Sequence, residues 1–202
     1  MSKAEENKRK KQEALFDTAF ELFTTKGINN TAINDIVQKA GVAKGTFYLY
    51  FKDKYDIRDR LIVRKTSVLF MKAVAKLEEC KSSKFEDQVI YVIDNVIEQL
   101  KNDKILLRMI AKDLSWGVYK KALSSTVEDK EDCELSYYDL FMENADKQNI
   151  KFKNAEVTLF MIVELVGSTA YNSIMFEQPV SIDELKPSLY ETIEGIIKGF
   201  KV

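Results

Sequence analysis

Residues 31–54 read TAINDIVQKAGVAKGTFYLYFKDK, and this stretch decides the fold of the N-terminal part of the chain. Its apolar residues fall at helical spacing on both sides of Gly41, so the stretch predicts two short helices joined by a tight turn. Glycine suits that turn because it adopts a positive φ without steric penalty. We expect the first helix over 32–39, with Thr31 as its N-cap.

The helical pattern continues on both sides of this stretch. Upstream, apolar residues at helical spacing predict a helix over 8–26 that stops at Gly27. Downstream, Asp53 is placed to cap a long helix that has Asp56 at its third position and runs to about Glu79. The same spacing predicts further helices over 84–101, 103–112, 115–126, 129–148, 155–176 and 182–200.

The last predicted helix carries two local signals. Ser181 and Glu184 have the spacing of a capping box, which marks a helix start. Pro187 lies six residues later and implies either a kink or a true start near Pro187 itself. No alternating strand pattern interrupts the chain, so we expect an all-α fold of about nine helices.

Composition agrees with a helical, soluble protein. The 202 residues include only seven Gly and two Pro, with 46% hydrophobic and 31% charged side chains. The formal net charge is −1, but residues 1–55 are basic in balance and the remainder is acidic. This asymmetry suits a DNA-binding domain over 1–53 and a second domain over 54–202 that does not bind DNA.

Other classes of protein are disfavoured. The chain has no histidine and two widely separated cysteines, Cys80 and Cys133, so neither a metal site nor a disulfide framework is predicted. The charged N-terminus lacks the apolar core of a signal peptide, and we expect a cytoplasmic protein. Residues 157–176 are long enough to cross a membrane, but Glu164 and a polar stripe on that helix favour burial in protein.

A short helix held across another by a glycine turn is the geometry that enters the major groove of DNA. Lys44 and Thr46 are predicted to meet base edges, and Gly45 permits close backbone approach. The remaining predicted DNA contacts act on phosphates or at the start of the second helix: Thr31, Ala43, Tyr48, Tyr50 and Lys54. Without the surrounding pattern, the two tyrosines could equally be ordinary core or surface aromatics. The basic cluster over 8–11 is either an arm on DNA or a frayed terminus.

The stretch closely resembles the N-terminal domain of the TetR family of bacterial transcriptional regulators. The resemblance rests on Ala40-Gly41-Val42, Lys44-Gly45-Thr46-Phe47-Tyr48, Tyr50-Phe51 and Lys54, and it covers about residues 8–62. Val37, Ala43 and Tyr55 depart from residues common in the family. The resemblance implies a homodimeric regulator of a palindromic operator, with a C-terminal domain that often holds a small molecule.

In the C-terminal domain two further sets of residues are predicted. Aromatic, sulfur and carboxylate side chains there could hold a hydrophobic effector, although most of them could equally be ordinary core residues. The set predicted for the pocket is Tyr91, Met109, Trp116, Tyr119, Tyr137, Phe141, Glu164 and Tyr171. The last two helices would form the dimer interface, through Phe160, Val163, Gly167, Leu189, Ile193, Ile196, Ile197 and Phe200.

Glu164 has a second interpretation, as a structural ion-pair or hydrogen-bond partner inside an apolar helix. Two rival functions also remain open at the level of sequence. The C-terminal domain could dock a protein instead of a small molecule, or it could carry a catalytic site. The second rival has little support, because no histidine base, P-loop or dinucleotide motif is present and no cofactor is implied.

Overall fold

The structure, a computed structural model, describes residues 2–113 and 137–202. The predicted helix over 115–126 and the first part of the one over 129–148 lie outside the described residues. Within them the chain is all-α, as predicted, apart from one isolated antiparallel bridge between Phe152 and Lys201. The helices are α1 (Lys3–Thr25), α2 (Ile33–Ala40), α3 (Lys44–Tyr50), α4 (Lys54–Ala75), α5 (Phe85–Asn102), α6 (Lys104–Asp113), α7 (Tyr137–Lys147), α8 (Ala155–Phe176) and α9 (Ile182–Phe200), with a 3₁₀ turn at Leu77–Glu79.

Side-chain caps set most of the helix starts. α8 begins where predicted because the Asn154 side chain accepts the Val157 N–H at 3.1 Å. α9 begins at Ile182 because Ser181 and Glu184 form the predicted capping box. Pro187 therefore lies inside a continuous helix, and the alternative start near Pro187 is wrong.

α1 begins earlier than predicted, at Lys3. The Ser2 hydroxyl accepts the Glu5 N–H at 3.2 Å, and the Glu5 carboxylate accepts the Ser2 N–H at 2.6 Å. These hydrogen bonds form a capping box and hold the pKa of the Glu5 carboxyl below its ordinary value. The basic cluster over 8–11 is thus part of a capped helix rather than a frayed terminus.

The chain divides into two compact units, which we call the head (Met1–Arg64) and the body (Lys65–Val202). This division falls within α4, whereas the predicted one, 1–53 and 54–202, follows the start of that helix. The head has a core of Leu15, Phe16, Ala19, Leu22, Ile36, Val37, Phe47, Phe51, Ile57, Leu61 and Ile62. The body has its own core, formed by α4 residues from Leu69 onward with α5 to α9.

Polar side chains join α5 to α9 in the body. The Lys186 ammonium pairs with the carboxylates of Asp94, at 2.6 Å, and Glu98. The Tyr190 hydroxyl donates to Asp94 as well, and Lys101 pairs with Asp183 at 2.8 Å. Burial alone would lower the pKa of Lys186, but the two carboxylates outweigh it and the pKa is raised. A charged pair network of this kind fixes the register of two packed helices.

α8 is less buried than its composition predicts. It is long and apolar enough to cross a membrane, with a mean hydropathy of 1.4 in its most apolar window, yet only 28% of that window is buried. Its own chain therefore buries little of it, and the expected burial in protein stays a prediction that would need a partner chain. The polar stripe of Glu164, Ser168 and Asn172 faces outward, and so do the apolar Phe160 and Met161.

Candidate nucleic-acid interface

An aromatic core in the head fixes the orientation of α3. Phe47 and Phe51 are fully buried, and their ring centroids lie 5.5 Å apart. The ring of Phe16, from α1, meets Phe51 edge-on at 5.1 Å. Edge-to-face aromatic pairs have a preferred geometry, so they position as well as stabilise. One face of α3 is thereby anchored to α1, and the opposite face is turned outward.

The turn between α2 and α3 follows the sequence prediction. Gly41 adopts φ +67°, the left-handed region, and its N–H donates to the Gln38 carbonyl at 3.3 Å. The Val42 N–H donates to the Val37 carbonyl at 3.0 Å, which completes a Schellman-type helix end. A side chain at Gly41 would meet no atom within 4 Å, so backbone conformation alone demands glycine here.

The outward face of α3 carries residues of several chemical types. Ala43, Lys44, Gly45 and Tyr48 are exposed, as predicted for contact residues, whereas Thr46 is half-buried. Leu49 is 80% exposed, an unusual position for a large apolar side chain. The sequence analysis missed Leu49 because it reads as one more core residue of an apolar helix. Its position could have indicated exposure, because Leu49 is two residues after the buried Phe47 and therefore on the other side of the helix.

The two tyrosines of α3 differ in their surroundings. Tyr48 is 53% exposed, and its ring is supported edge-on by Phe47 at 5.5 Å. Tyr50 is half-buried, and its hydroxyl donates to the Lys8 carbonyl on α1 at 3.4 Å. Tyr48 thus extends from the surface, whereas Tyr50 lies against the basic cluster over 8–11.

Thr31 is not the N-cap of α2, and that prediction is wrong. Its side chain is 1% exposed, and its hydroxyl donates to the Gly27 carbonyl at 2.9 Å. The N-cap is Ala32, whose N–H is accepted by the Asp35 carboxylate at 3.1 Å. Thr31 does not cap α2 because its hydroxyl instead donates to a carbonyl of the loop that follows α1.

Lys54 plays a part that the sequence did not indicate. Its ammonium donates to three carbonyls of the loop between α1 and α2: Ile28 at 2.8 Å, Thr31 at 3.2 Å and Asn29 at 3.3 Å. An ammonium has three N–H donors, so this set uses its full capacity. Lys54 therefore positions the loop that leads into α2. No local sequence pattern reports a hydrogen bond over this separation.

The start of α4 was predicted correctly. The Asp53 carboxylate accepts the Asp56 N–H at 2.9 Å, which is the N-cap hydrogen bond. The Asp56 side chain in turn accepts the Lys52 N–H at 2.9 Å. These two hydrogen bonds hold the turn between α3 and α4, in which Lys52 is exposed.

Comparison with known proteins agrees with this geometry. A model of the family "Bacterial regulatory proteins, tetR family" matches residues 15–61. An HTH-type transcriptional regulator of Staphylococcus aureus (strain USA300) is 31% identical over 152 residues, covering 74% of this chain and 75% of that protein. The chain belongs to the TetR family of bacterial transcriptional regulators.

Two further similarities span almost the whole chain. The HTH-type transcriptional regulator YvdT of Bacillus subtilis (strain 168) is 28% identical over 187 residues, covering 89% of this chain and 91% of the relative. The solved structure of the regulator FadR from Bacillus subtilis, in complex with stearoyl-CoA, matches with a TM-score of 0.61 at 20% identity. That match covers 90% of this chain and 96% of FadR, and it shows the shared TetR fold.

The body of this TetR-family protein contains a cavity of about 360 Å³. Its walls are mainly aliphatic, with Val89, Val92 and Ile93 on α5 and Ile162 on α8. Of the predicted pocket residues, Phe141 lines the cavity. Tyr91, Met109, Glu164 and Tyr171 lie elsewhere in the body, Trp116 and Tyr119 lie outside the described residues, and so does the side chain of Tyr137.

These residues were predicted to line the pocket because of their aromatic rings and sulfur atoms, but most of those that the structure describes lie outside the cavity lining. Met109 is 7% exposed and buried in the body core. Tyr91 donates from its hydroxyl to Glu79 at 3.4 Å. Glu164 is exposed on α8 and lies outside the cavity lining, and its pairing with a lysine or a tyrosine across the dimer interface stays a prediction. Valine, isoleucine and leucine form the cavity wall because α5 turns its aliphatic stripe inward.

The predicted dimer residues fall into two groups. Phe160 and Gly167 are exposed, and Val163, Ile196 and Phe200 are half-buried. Leu189, Ile193 and Ile197 are 3%, 0% and 0% exposed in the body core, so placing them on a surface was wrong. α9 turns this stripe towards α5 and α8, and small residues such as Gly195 and Gly199 occupy its outer side.

Proposed function

We propose that this TetR-family protein is a cytoplasmic, homodimeric repressor that binds a palindromic operator and is released from it by a small apolar ligand. The observation that carries the proposal is the anchored α3, with its buried aromatic face and its exposed face of Lys44, Gly45, Tyr48 and Leu49. Such a helix is rigidly held and closely approachable, which reading a major groove requires.

Each exposed residue has a role in the proposed complex. Lys44 donates to guanine or a phosphate, and Gly45 lets the α3 backbone come close. Tyr48 donates its hydroxyl to a phosphate, and the exposed Leu49 packs on a thymine methyl group. Ala43 and Thr46 flank this face, and Thr46 reaches it from a half-buried position.

In the proposed complex, Thr31, Tyr50 and Lys54 position other groups of the head and do not contact DNA themselves. Thr31 and Lys54 hold the loop before α2, so that the first N–H groups of α2 can meet a phosphate. Tyr50 connects α3 to Lys8, which directs the basic cluster over 8–11 towards the DNA backbone.

The proposed dimer forms through the outward face of α8, together with the outer side of α9. Phe160, Met161 and Phe176 are 36%, 40% and 55% exposed, an apolar surface typical of a partner interface. Gly195 and Gly199 on α9 would let a partner helix approach closely. A body that docks a different protein would use the same kind of surface, so sedimentation of the purified chain, as a monomer or a dimer, distinguishes the two.

The proposed ligand occupies the body cavity. Its volume lies within the range of small-molecule sites, and its walls are apolar with a few polar groups. FadR, the similar structure, is in complex with stearoyl-CoA, which has a long apolar chain. A ligand that binds one of two body conformations more tightly would shift the population away from the DNA-binding one.

The test is binding of the full-length protein to DNA flanking its own gene, by fluorescence anisotropy across a salt series. The parent should bind specifically, with an affinity that falls steeply as salt rises. Tyr48→Ala should lower the affinity for this DNA at least about ten-fold, because the substitution removes the phosphate hydrogen bond and the exposed ring together. Tyr91→Ala in the body is the matched control and should bind like the parent. Equal binding by Tyr48→Ala, no better than to random DNA, would refute the interface.

A further inference from the structure

The two ends of the body cavity differ in chemistry. Lining residues on α5 run from Phe85 to Leu100, a length of about 22 Å at 1.5 Å per residue. At the Leu100 end, the Gln99 amide donates to the Leu69 carbonyl at 3.1 Å, so the Leu69 turn of α4 lies beside the end of α5. The described lining there is mainly the buried, apolar Leu69, Val96, Leu100 and Ile110, with the buried Thr66 hydroxyl one helical turn from Leu69.

The other end of the cavity carries its amide and charged lining residues. Gln88 on α5 and Asn144 on α7 are joined through Gln148, whose amide nitrogen donates to the Gln88 oxygen at 3.0 Å and the Asn144 oxygen at 3.3 Å. Glu143 and Lys147 line the same end and are exposed, so they mark its mouth.

The mouth offers hydrogen-bond donors more than acceptors. The amide oxygens of Gln88 and Asn144 both accept from Gln148, so these two side chains offer their N–H groups to other partners. Gln88 gives one of these hydrogens to the Ser82 carbonyl at 3.3 Å. Among the described residues, no acceptor is recorded for the Asn144 amide nitrogen. A ligand head that bears acceptor oxygens would satisfy these groups.

The charges at the mouth nearly cancel. The Lys147 ammonium lies 3.6 Å from the Glu143 carboxylate, and both side chains are more than half exposed. The two charges therefore favour neither a cationic nor an anionic head, and the amide donors decide the preference. A cationic head finds no free acceptor amide at the mouth, whereas an oxygen-bearing head finds the amide N–H groups.

We propose that the cavity binds a single-chain amphiphile, with an unbranched apolar chain and a head of carbonyl or carboxylate oxygens. The chain lies along α5 towards Leu100, and the head meets Asn144, Gln88 and Lys147. A water-sized group occupies about 30 Å³, so 360 Å³ holds about a dozen methylene-sized groups. This inference rests on the proposed function, since it names the ligand class of the same cavity.

Calorimetric titration of the full-length protein tests the head group. The probes share a twelve-carbon chain and are used below their micelle-forming concentrations: dodecanoate, methyl dodecanoate and dodecyltrimethylammonium. Both oxygen-bearing probes should bind at least about ten-fold more tightly than the ammonium probe, the difference expected of about one or two hydrogen bonds. Equal or tighter binding of the ammonium probe would overturn the head-group assignment.

Two variants test where the head and the chain lie. Asn144→Leu should weaken the oxygen-bearing probes by roughly ten-fold and leave the ammonium probe unchanged. Asn95→Leu is the matched control, since Asn95 is a half-buried amide on α5 outside the cavity lining. Val96→Phe fills the apolar end and should weaken dodecanoate while sparing octanoate. An equal loss of affinity for dodecanoate and octanoate, or no loss for either, would refute the proposed orientation.

Operator DNA in the same samples separates this inference from the function on which it rests. Release of DNA by dodecanoate or its ester supports both. Binding of these probes without DNA release leaves the ligand class standing and removes ligand-driven release. Failure of every probe to bind overturns the ligand class, whereas the DNA-binding role is then judged by Tyr48→Ala alone.

Discussion

The head and the body of this regulator are both helical, but their cores are built differently. In the head, rings of Phe16, Phe47 and Phe51 interlock, and the loop carbonyls before α2 are held by Lys54. In the body, helices are joined by ion pairs such as Lys186 with Asp94, around an aliphatic cavity of about 360 Å³. The head is packed to present one fixed surface, and the body retains space inside.

This difference suits two tasks. A helix that reads base edges must keep its angle to within small tolerances, so unfilled space beneath it would be harmful. A body that responds to a ligand needs a site whose filling changes the relative stability of its conformations. The contrast predicts how much substitutions in the head and in the body should change stability and binding.

The largest expected effect is on the head core. Phe47→Ala removes a fully buried ring from beneath α3 and should destabilise the head by about 3–5 kcal/mol. DNA binding should be lost with it. Leu49→Ala, on the same helix but 80% exposed, should change stability by less than about 0.5 kcal/mol. Hydrogen exchange of head amides measures both, and similar protection in the two variants would contradict the anchored α3.

Sequence could predict the head in most respects because its determinants are local. The turn at Gly41 and the cap at Asp53 are both visible as short patterns, and the structure confirms both. Thr31 was misassigned because its partner, the Gly27 carbonyl, lies in a loop whose course no local pattern reveals.

In the body, helix bounds were predictable and the direction of each helix face was not. α8 and α9 were predicted with their observed bounds, because Asn154 and Ser181 mark their starts. The burial of Ile193 and the exposure of Phe160 depend on which helices pack together, and spacing alone does not show it. The cavity wall was missed for the same reason, since the aliphatic stripe of α5 reads as ordinary core.

The second expected effect concerns Lys54. Lys54→Met leaves three loop carbonyls without their donor and should destabilise the head by about 1–3 kcal/mol. Lys52→Met is the control, because Lys52 is exposed two residues earlier, and it should alter stability by less than about 0.5 kcal/mol. Urea unfolding of both variants measures the difference. Equal midpoints would mean that the loop does not depend on the Lys54 ammonium.

The third expectation compares the two cores with one substitution. Val37 in the head and Val96 in the body are almost equally buried, at 5% and 6% exposed. Val37→Leu adds a methylene to a crowded helix crossing and should cost about 1–3 kcal/mol. Val96→Leu places the same group beside the cavity and should change stability by less than about 0.5 kcal/mol. A similar cost at both sites would refute the difference in packing.

The smallest expected effect is on the pH dependence of the body. Burial raises the pKa of Glu86, but the hydrogen bond and charge of Lys201 outweigh it, so the pKa lies below its ordinary value of 4.5. A carboxyl with a lowered folded pKa stabilises the protein above its unfolded pKa, and the contribution is lost as pH falls through the folded value.

Glu86→Gln should therefore lower the thermal midpoint at pH 7, by an amount that corresponds to about 1 kcal/mol or less. The parent and the variant should converge as the pH falls through the folded pKa of Glu86, which lies below 4.5, because the parent carboxyl is protonated below that pKa and no longer pairs with Lys201. Glu78→Gln, at an exposed site on the 3₁₀ turn, serves as the control. A difference in thermal midpoint between Glu86→Gln and the parent that persisted at pH 2 would mean that Glu86 stabilises the body through packing and not through its charge.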